Sequence, residues 1–283
     1  MFVQAEAPRD QLTIKLIPLL RQASQILVDE YNQYISGQKF DIEKKSDNSP
    51  VTQADYKVNQ FLTQALAEIS ELPLLSEEAT NENRKNWKKF WLLDPLDGTK
   101  EFLHKRAEFT INLSLVDNAQ TVYAVIVVPC ENTMYIATEV GLPYKLDIKN
   151  NQWFKYSEQH INSEIKVGLS QSSQSKPQYA QFLEQLNTIT PFITFKAGSA
   201  YKFCMILEDK VDIYPRFHPT CEWDTSAGQC LIERIGGGLI DFNGKSFTYN
   251  QRDTLLNNGF LAYKNNEMRD ISLKALELMA NIT

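Results

Sequence analysis

The sequence predicts a mixed α/β protein, with an α+β N-terminal domain (residues 1–160) and a smaller α/β C-terminal domain (residues 161–283). Three patterns support this prediction. Two stretches near the N-terminus carry apolar residues at helical spacing, and apolar strands linked by short turns follow them. After the polar stretch 147–163, short strands alternate with helix-like stretches, which is typical of α/β layers.

The first helices are recognised by their apolar stripes. Apolar residues such as Ile17, Leu20 and Leu27 recur at helical spacing over residues 9–37, and Gly37 suits the end of that helix. Residues 40–45 are predicted to form a short strand before the turn-prone "SDNSP". A second helix begins at Thr52, and its buried stripe comprises Val58, Phe61, Leu62, Ala65, Leu66 and Ile69.

The strands follow in order along the chain. "LPLLSEEAT" (72–80) and "KKFWLLDPLDGT" (88–99) are apolar strands that end in acidic residues. "FTINLSLVDN" and "TVYAVIVVPCENTMYIAT" predict successive strands of a hairpin-linked sheet, with a turn near "DNAQ". In the second domain, the strands "IKVGLS", "FITFKAG" and "VDIYP" alternate with helices predicted at 177–187, 199–208 and 224–236.

Composition narrows the function classes. The 283 residues carry a net charge of −6, whereas a protein that binds a nucleic-acid polymer is usually basic. No apolar run reaches the ~18 residues of a transmembrane helix, and the N-terminus does not read as a signal peptide. The four cysteines lack C-x-x-C spacing, as expected for free thiols in a reducing cytoplasm. We therefore expect a cytoplasmic protein, with peripheral association at the inner face of the cytoplasmic membrane left open.

Acidic residues stand where apolar elements start or stop. In "LLDPLDGT" (92–99), Pro95 ends the strand pairing, so two carboxylates can face one cavity from a tight turn. Mg²⁺ takes oxygen ligands from a few carboxylates, and two or three such ions would stabilise an acidic cluster. The acids that form this hypothesis are Asp55, Glu77, Asp94, Asp97 and Asp224.

Structural interpretations of the same residues stay open. Asp94 and Asp97 also suit a strand-end turn capped by their own side chains. Asp55 suits the negative charge preferred at a helix N-terminus, and Glu77 suits a solvated turn. Lys202 equally fits an exposed helix position, and Arg216 a structural role in the turn-rich "YPRFHP".

Four segments together resemble the inositol monophosphatase superfamily of magnesium-dependent, lithium-sensitive phosphatases. They are "SPVTQAD" (49–55), "LLSEEA" (74–79), "WLLDPLDGTKEF" (91–102) and "WDTSAG" (223–228), in the order of that family. The segments "DGTKEF", "EFTINL" and "IYPRFHPT" (213–220) are most similar to its 3′(2′),5′-bisphosphate nucleotidase branch. The resemblance implies a layered αβαβα sandwich.

The resemblance also implies roles for individual residues. Glu77, Asp94 and the Leu96 carbonyl would share one Mg²⁺, Asp94, Asp97 and Asp224 would hold a second, and Glu77 would contact a third. Asp55 and Thr99 would orient and deprotonate the attacking water. The substrate-binding residues would be Glu77, Asp97, Gly98, Thr99, Gly198, Ser199, Lys202, Arg216 and Asp224.

The predicted activity is Mg²⁺-dependent hydrolysis of the 3′-phosphate of adenosine 3′,5′-bisphosphate, with 3′-phosphoadenylyl sulfate as a further substrate in sulfur metabolism. Two alternatives remain at this point. The same chemistry would serve an inositol monophosphatase or a related sugar phosphatase. A protein of another class, a nucleotide or phosphate sensor without turnover, would bind the same ligands.

Overall fold

The computed structural model describes residues 1–45, 49–79, 83–157, 164–173 and 176–280. Its helices are α1 (Gln11–Ile35), α2 (Gln53–Ile69), α3 (Thr99–Leu103), α4 (Pro177–Ile189), α5 (Tyr201–Leu207), α6 (Glu222–Glu233) and α7 (Asn266–Ala280). In the described part of the chain, no helix combines the length and apolar character needed to span a bilayer.

An eight-stranded sheet forms from the first ten strands, apart from a separate small hairpin of β2 with β3. Its order is β1-β10-β9-β8-β7-β6-β5-β4, antiparallel except for the β4–β5 pair at one edge. The strands are β1 (Phe2–Gln4), β2 (Ile42–Lys44), β3 (Pro50–Thr52), β4 (Leu74–Ser76), β5 (Lys89–Asp97), β6 (Thr110–Asp117), β7 (Gln120–Val128), β8 (Thr133–Ala137), β9 (Tyr144–Asp147) and β10 (Gln152–Tyr156).

A five-stranded sheet follows in the order β12-β11-β13-β17-β15, and β14 pairs with β16 beside it. β11 runs parallel to β12 and β13, while β17 runs antiparallel to β13 and β15. The strands are β11 (Ile165–Leu169), β12 (Phe192–Lys196), β13 (Ile213–Arg216), β14 (Thr220–Cys221), β15 (Gly238–Ile240), β16 (Leu256–Asn257) and β17 (Phe260–Tyr263).

The alternation of side chains along β5 shows how the layers stack. Trp91 and Leu93 face the core formed with α1 and α2, whereas Phe90 and Leu92 face the core formed with α5 and α6. A third core packs α4 and α7 on the far face of the five-stranded sheet. The order of layers is therefore helix, sheet, helix, sheet, helix, which is the predicted αβαβα sandwich.

The helix layer between the sheets packs closely. At Gly228 of α6, a Cβ atom would lie 2.1 Å from the ring of Phe203 on α5. Only glycine lets these two helices approach to this distance, since real Cβ atoms do not make contacts that short. This close packing holds α6 against α5 in the layer between the sheets.

The structure differs from the sequence prediction in several elements. The stretch read as polar, 147–163, contains β10, and β9 ends at its start. The strands β15 to β17 and helix α7 were not recognised, because short strands and a helix of low mean hydropathy carry weak patterns. The predicted domain boundary at residue 160 lies outside the described residues and stays a proposal.

Candidate active site

Three carboxylates meet where the end of β5 faces the first turn of α6. Oxygen atoms of Asp94, Asp97 and Asp224 all lie within 4.8 Å of one another. The pairing of β5 with β6 shifts register between Asp94 and Asp97, as in a β-bulge. A bulge re-aims side chains, so these two acids converge on Asp224 instead of pointing to opposite faces.

Backbone N–H groups hold each of the three carboxylates. Asp94 accepts a hydrogen bond from the N–H of Leu96 at 3.1 Å. Asp97 accepts one from the N–H of Ala200 at 2.5 Å, and Asp224 from the N–H of Cys221 at 2.7 Å. Such charge-assisted bonds stabilise a buried carboxylate by about 1.5–3 kcal/mol each.

Asp55 and Thr99 form the predicted pair beside this trio. Asp55 accepts hydrogen bonds on one oxygen from the N–H and the hydroxyl of Thr52, both at 2.7 Å. Its other oxygen lies 3.3 Å from the hydroxyl of Thr99, which also lies 3.2 Å from the Leu96 carbonyl oxygen. One carboxylate oxygen of Asp55 thus caps α2, and the other faces the site.

Glu77 lies at the edge of the trio and carries a basic partner that the sequence analysis missed. The ammonium of Lys45 lies 2.6 Å from an oxygen of Glu77 and 2.6 Å from an oxygen of Glu78. Lys45 follows β2, so the small hairpin reaches over the acidic residues. Lys45 contacts only one of the two carboxylate oxygens of Glu77.

Burial and mutual repulsion raise the pKa values of the acids. Burial, followed by the charges of Glu77, Asp97 and Asp224, holds the pKa of Asp94 well above its usual range. Burial raises the pKa of Asp97 to about 6, although hydrogen bonds and nearby basic groups oppose it. Burial and the charges of Asp97 and Glu77 raise the pKa of Asp224 to about 8. These carboxylates therefore lack sufficient positive charge around them.

A hard divalent cation fits this donor set. In the ranges that the structure describes, no Lys or Arg forms an ion pair with Asp94, Asp97 or Asp224. All the groups that converge here are carboxylate or carbonyl oxygens, which Mg²⁺ prefers over nitrogen or sulfur. The residues present therefore fit a magnesium site.

Glu77, Asp94, Asp97 and Asp224 line a cleft of about 360 Å³, whereas Asp55 is buried beside it and does not line it. Gly98, Thr99, Gly198, Ser199 and Arg216 also line it, so most predicted substrate contacts are brought together. The glycines allow the two loops to meet. Gly98 has a φ of +94°, and a Cβ at Gly198 would lie 2.2 Å from the side chain of Glu101.

Lys202 is the exception among the predicted substrate contacts. It is fully buried and does not line the cleft. Its ammonium donates to the carbonyls of Ala197 and Ser199 at 2.9 and 2.8 Å, and it lies 4.8 Å from the ring centre of Tyr214. Lys202 therefore fastens the loop that carries Gly198 and Ser199. The alternative interpretation, an exposed lysine on a helix surface, is wrong as well, because the side chain is buried.

The sequence analysis did not assign Ser172 and His218, which line the cleft, or Glu108, which contacts residues of its lining. Ser172, after β11, lies 3.2 Å from the ring nitrogen of His218 across the rim. Burial, followed by the charge of Arg216, lowers the pKa of His218 to about 4, so this ring is neutral at pH 7. Glu108 accepts hydrogen bonds from Gly198 and Gln171. The only sequence signal for Glu108 was its place in "EFTINL".

The sequence of this chain is similar to those of known proteins over most of its length. The model of the inositol monophosphatase family matches residues 9–275. A curated 3′(2′),5′-bisphosphate nucleotidase CysQ of Escherichia coli (strain K12) is 34% identical over 245 residues, covering 82% of this chain and 93% of that protein. The same enzyme of Buchnera aphidicola is 34% identical over 263 residues, covering 88% and 92%.

Solved structures show the same fold. The crystal structure of CysQ from Bacteroides thetaiotaomicron, described as a bacterial member of the inositol monophosphatase family, aligns with a TM-score of 0.76 and 29% identity. The alignment covers 91% of this chain and 99% of that one. An IMPase from Thermotoga maritima aligns with a TM-score of 0.73 at 20% identity, which speaks for the fold alone.

The raised pKa of Asp224 leads to a prediction for the cation-free protein. Its folded pKa of about 8 exceeds the ordinary 3.8, so the folded state binds more protons than the unfolded state between these values. The stability that this group contributes at low pH is lost as pH rises. The substitution Asp224→Asn removes this loss. Between pH 5 and pH 8, we therefore expect the unfolding free energy of the variant to rise by roughly 1–3 kcal/mol relative to that of the unchanged protein.

Urea unfolding in EDTA at several pH values measures this difference. The control is Asp147→Asn, because Asp147 is only partly buried and hydrogen bonds from Asn150 lower its pKa. Its difference from the unchanged protein should not vary over the same window. A pH-independent difference for Asp224→Asn would show that Asp224 ionises normally in the fold.

Proposed function

This chain belongs to the inositol monophosphatase family, and from this premise we propose that it hydrolyses the 3′-phosphate of adenosine 3′,5′-bisphosphate, giving AMP and phosphate. Membership confirms the resemblance found in the sequence. The observation that carries the proposal is the trio Asp94, Asp97 and Asp224 in a cleft whose lining also includes Arg216. The curated relatives are named 3′(2′),5′-bisphosphate nucleotidases, which supports this enzyme class.

Two or three Mg²⁺ ions complete the proposed site. Glu77, Asp94 and the Leu96 carbonyl would hold one ion, Asp94, Asp97 and Asp224 a second, and Glu77 a third. Bound Mg²⁺ supplies positive charge beside the scissile phosphate, where acidic residues alone would repel it. By the same family resemblance, we expect Li⁺ to compete at one of these positions and inhibit the enzyme.

In this proposal, Asp55 and Thr99 orient the attacking water and accept its proton. Burial raises the pKa of Asp55 to about 6, so it is mostly ionised at pH 7 and accepts protons. The Thr99 hydroxyl, 3.3 Å from Asp55, accepts a hydrogen bond from water while it donates to that carboxylate. Gly98 and Thr99, at the turn after β5, contact the phosphate that is transferred to water.

We assign Arg216, which lines the cleft together with Lys100, to the second phosphate of the substrate. Cations at the acidic trio do not reach a phosphate at the other end of a nucleotide. Arg216 provides a planar guanidinium that binds phosphate through two hydrogen bonds. Its Nε atom is buried without a hydrogen-bond partner among the described residues. Gly198 and Ser199 would contact the nucleoside between the two phosphates.

Two alternative functions would use the same cleft. An inositol or sugar phosphatase would share the acids but have less need of Arg216. A binding protein without turnover would need the cleft but not the Asp55–Thr99 pair. A role in sulfur metabolism and use of 3′-phosphoadenylyl sulfate both require that the nucleotide is the substrate, whereas the proposed cytoplasmic location rests on the cysteine pattern.

A substrate comparison with Mg²⁺ tests the proposal. We expect kcat/KM for adenosine 3′,5′-bisphosphate to exceed that for inositol 1-phosphate by at least about tenfold, because only the bisphosphate uses Arg216. Phosphate release at several Mg²⁺ concentrations provides the measurement. Equal or inverted rates would reject the substrate but keep the phosphatase, and tight binding without turnover would reject the enzyme.

The different placements of Arg216 and Lys202 lead to a second prediction. Arg216→Met should raise KM for the bisphosphate by about tenfold more than for 3′-AMP, which lacks the 5′-phosphate. Lys202→Met should instead lower kcat similarly for both substrates, because Lys202 acts on the loop and does not face the cleft. Steady-state kinetics of both variants on both nucleotides checks this. A bisphosphate-specific KM effect in Lys202→Met would return that lysine to the substrate contacts.

Asp97→Asn tests the acidic trio itself. The asparagine oxygen can still accept from Ala200, but the lost charge should weaken Mg²⁺ binding and reduce kcat at least about a hundredfold. The cation-free variant should be at least as stable as the unchanged protein, because one repelling charge is gone. Calorimetric Mg²⁺ titration and urea unfolding measure both effects. The control is Asp117→Asn, at the other end of the pair of strands β5 and β6, where the partner of the carboxylate is Lys89. Full activity of Asp97→Asn would show that Asp97 is not part of the site.

A further inference from the structure

Glu222 is a buried carboxylate that the proposed chemistry does not use. It is the first residue of α6, two residues before Asp224, and it is fully buried. One oxygen accepts from the N–H of Asn250 at 2.6 Å, and the other from the guanidinium of Arg252 at 3.1 Å. Burial of a carboxylate costs several kcal/mol unless such donors compensate it, so this arrangement needs a reason.

Arg252 and Asn257 extend the network to both sides of Asp224. Arg252 donates to the side-chain oxygen of Asn257 at 2.5 Å. The amide of Asn257 donates to the carbonyl of Cys221 at 3.2 Å and to the hydroxyl of Thr225 at 3.0 Å. The residues that precede and follow Asp224 are therefore fastened to one segment, residues 250–257.

Arg84 ties the same segment to the part of the chain between Glu77 and Asp94. Its guanidinium donates to the side chain of Asn250 at 2.7 Å and to the carbonyls of Arg252 and Asp253 at 3.1 and 2.5 Å. The amide of Asn250 donates back to the Arg84 carbonyl at 2.6 Å. One polar network thus joins the first turn of α6 to the segment that connects β4 and β5.

We propose that Glu222 is a positioning residue, which sets the place of Asp224 relative to Asp94 and Asp97 through Asn250, Arg252, Asn257 and Arg84. The proposal rests on the cation site described above but not on the identity of the substrate. Because Glu222 does not line the cleft, the network reaches the site only through Asp224, and we expect it to act mainly on the affinity for the cation.

Glu222→Gln is the first test. The amide can still accept from Asn250, but it loses the charge that holds Arg252. We expect the Kd for Mg²⁺, measured by calorimetry on the cation-free protein, to rise about tenfold, as for other groups that hold a metal ligand in place. The KM for the nucleotide at saturating Mg²⁺ should change less than about twofold.

Arg252→Gln breaks the same link from its partly exposed end and tests the proposal if Glu222→Gln folds poorly. It should raise the Kd for Mg²⁺ similarly. The control is Glu233→Gln at the other end of α6, where the carboxylate accepts from Gln229 at 2.7 Å. That variant should lower the unfolding temperature slightly and leave the Kd for Mg²⁺ unchanged.

The outcomes separate this inference from the proposed function. If the unchanged protein binds Mg²⁺ and the Glu222 and Arg252 variants bind it equally well, the network is merely structural. This result overturns the inference and leaves the proposed function in place. If they bind it weakly with nucleotide KM preserved, the inference is supported. If the unchanged protein binds no Mg²⁺, the proposed cation site and the inference fall together.

Discussion

Backbone N–H groups make it possible for this fold to bury several carboxylates at one point. Asp55, Asp94, Asp97 and Asp224 each accept one, from Thr52, Leu96, Ala200 and Cys221 respectively. These donors offset only part of the cost of burial and repulsion, so the pKa values of the acids stay raised. The donors belong to two helix starts, a bulged strand and a loop from the second half of the chain. Segments far apart along the chain must therefore be in place before the acids can meet.

The sequence revealed the acids better than their surroundings. Asp94 and Asp97 could be predicted because an apolar strand ran directly into them. For Asp55, the helix-capping interpretation and the catalytic one are compatible, because its two oxygens have different partners. Lys202 could not be placed from the sequence, since its burial depends on carbonyl groups of a loop and on a neighbouring strand. Apart from the bond between Arg252 and Asn257, the network around Glu222 joins residues 28 to 169 positions apart, and no local pattern reports such contacts.

The basic residues near the acids lie in three different environments. Lys45 pairs with Glu77 and Glu78 at the mouth of the cleft, Arg216 lies in its wall, and Lys202 lies in the core behind it. Their positive charge lowers the cost of gathering the acids without neutralising the trio directly. This division leaves the oxygen atoms of the trio available to a cation and Arg216 available to an anionic ligand.

Strand β5 connects both large apolar cores and ends in two of the acids. Its alternate side chains belong to different cores, so displacement of β5 would disturb both of them. Partial melting of one layer would therefore expose the other as well. Loss of the site and loss of the fold should be one cooperative event, in which the amides of Leu92 and Leu93 exchange with solvent only through global unfolding. Slow inactivation of this protein on heating would then report its unfolding rate.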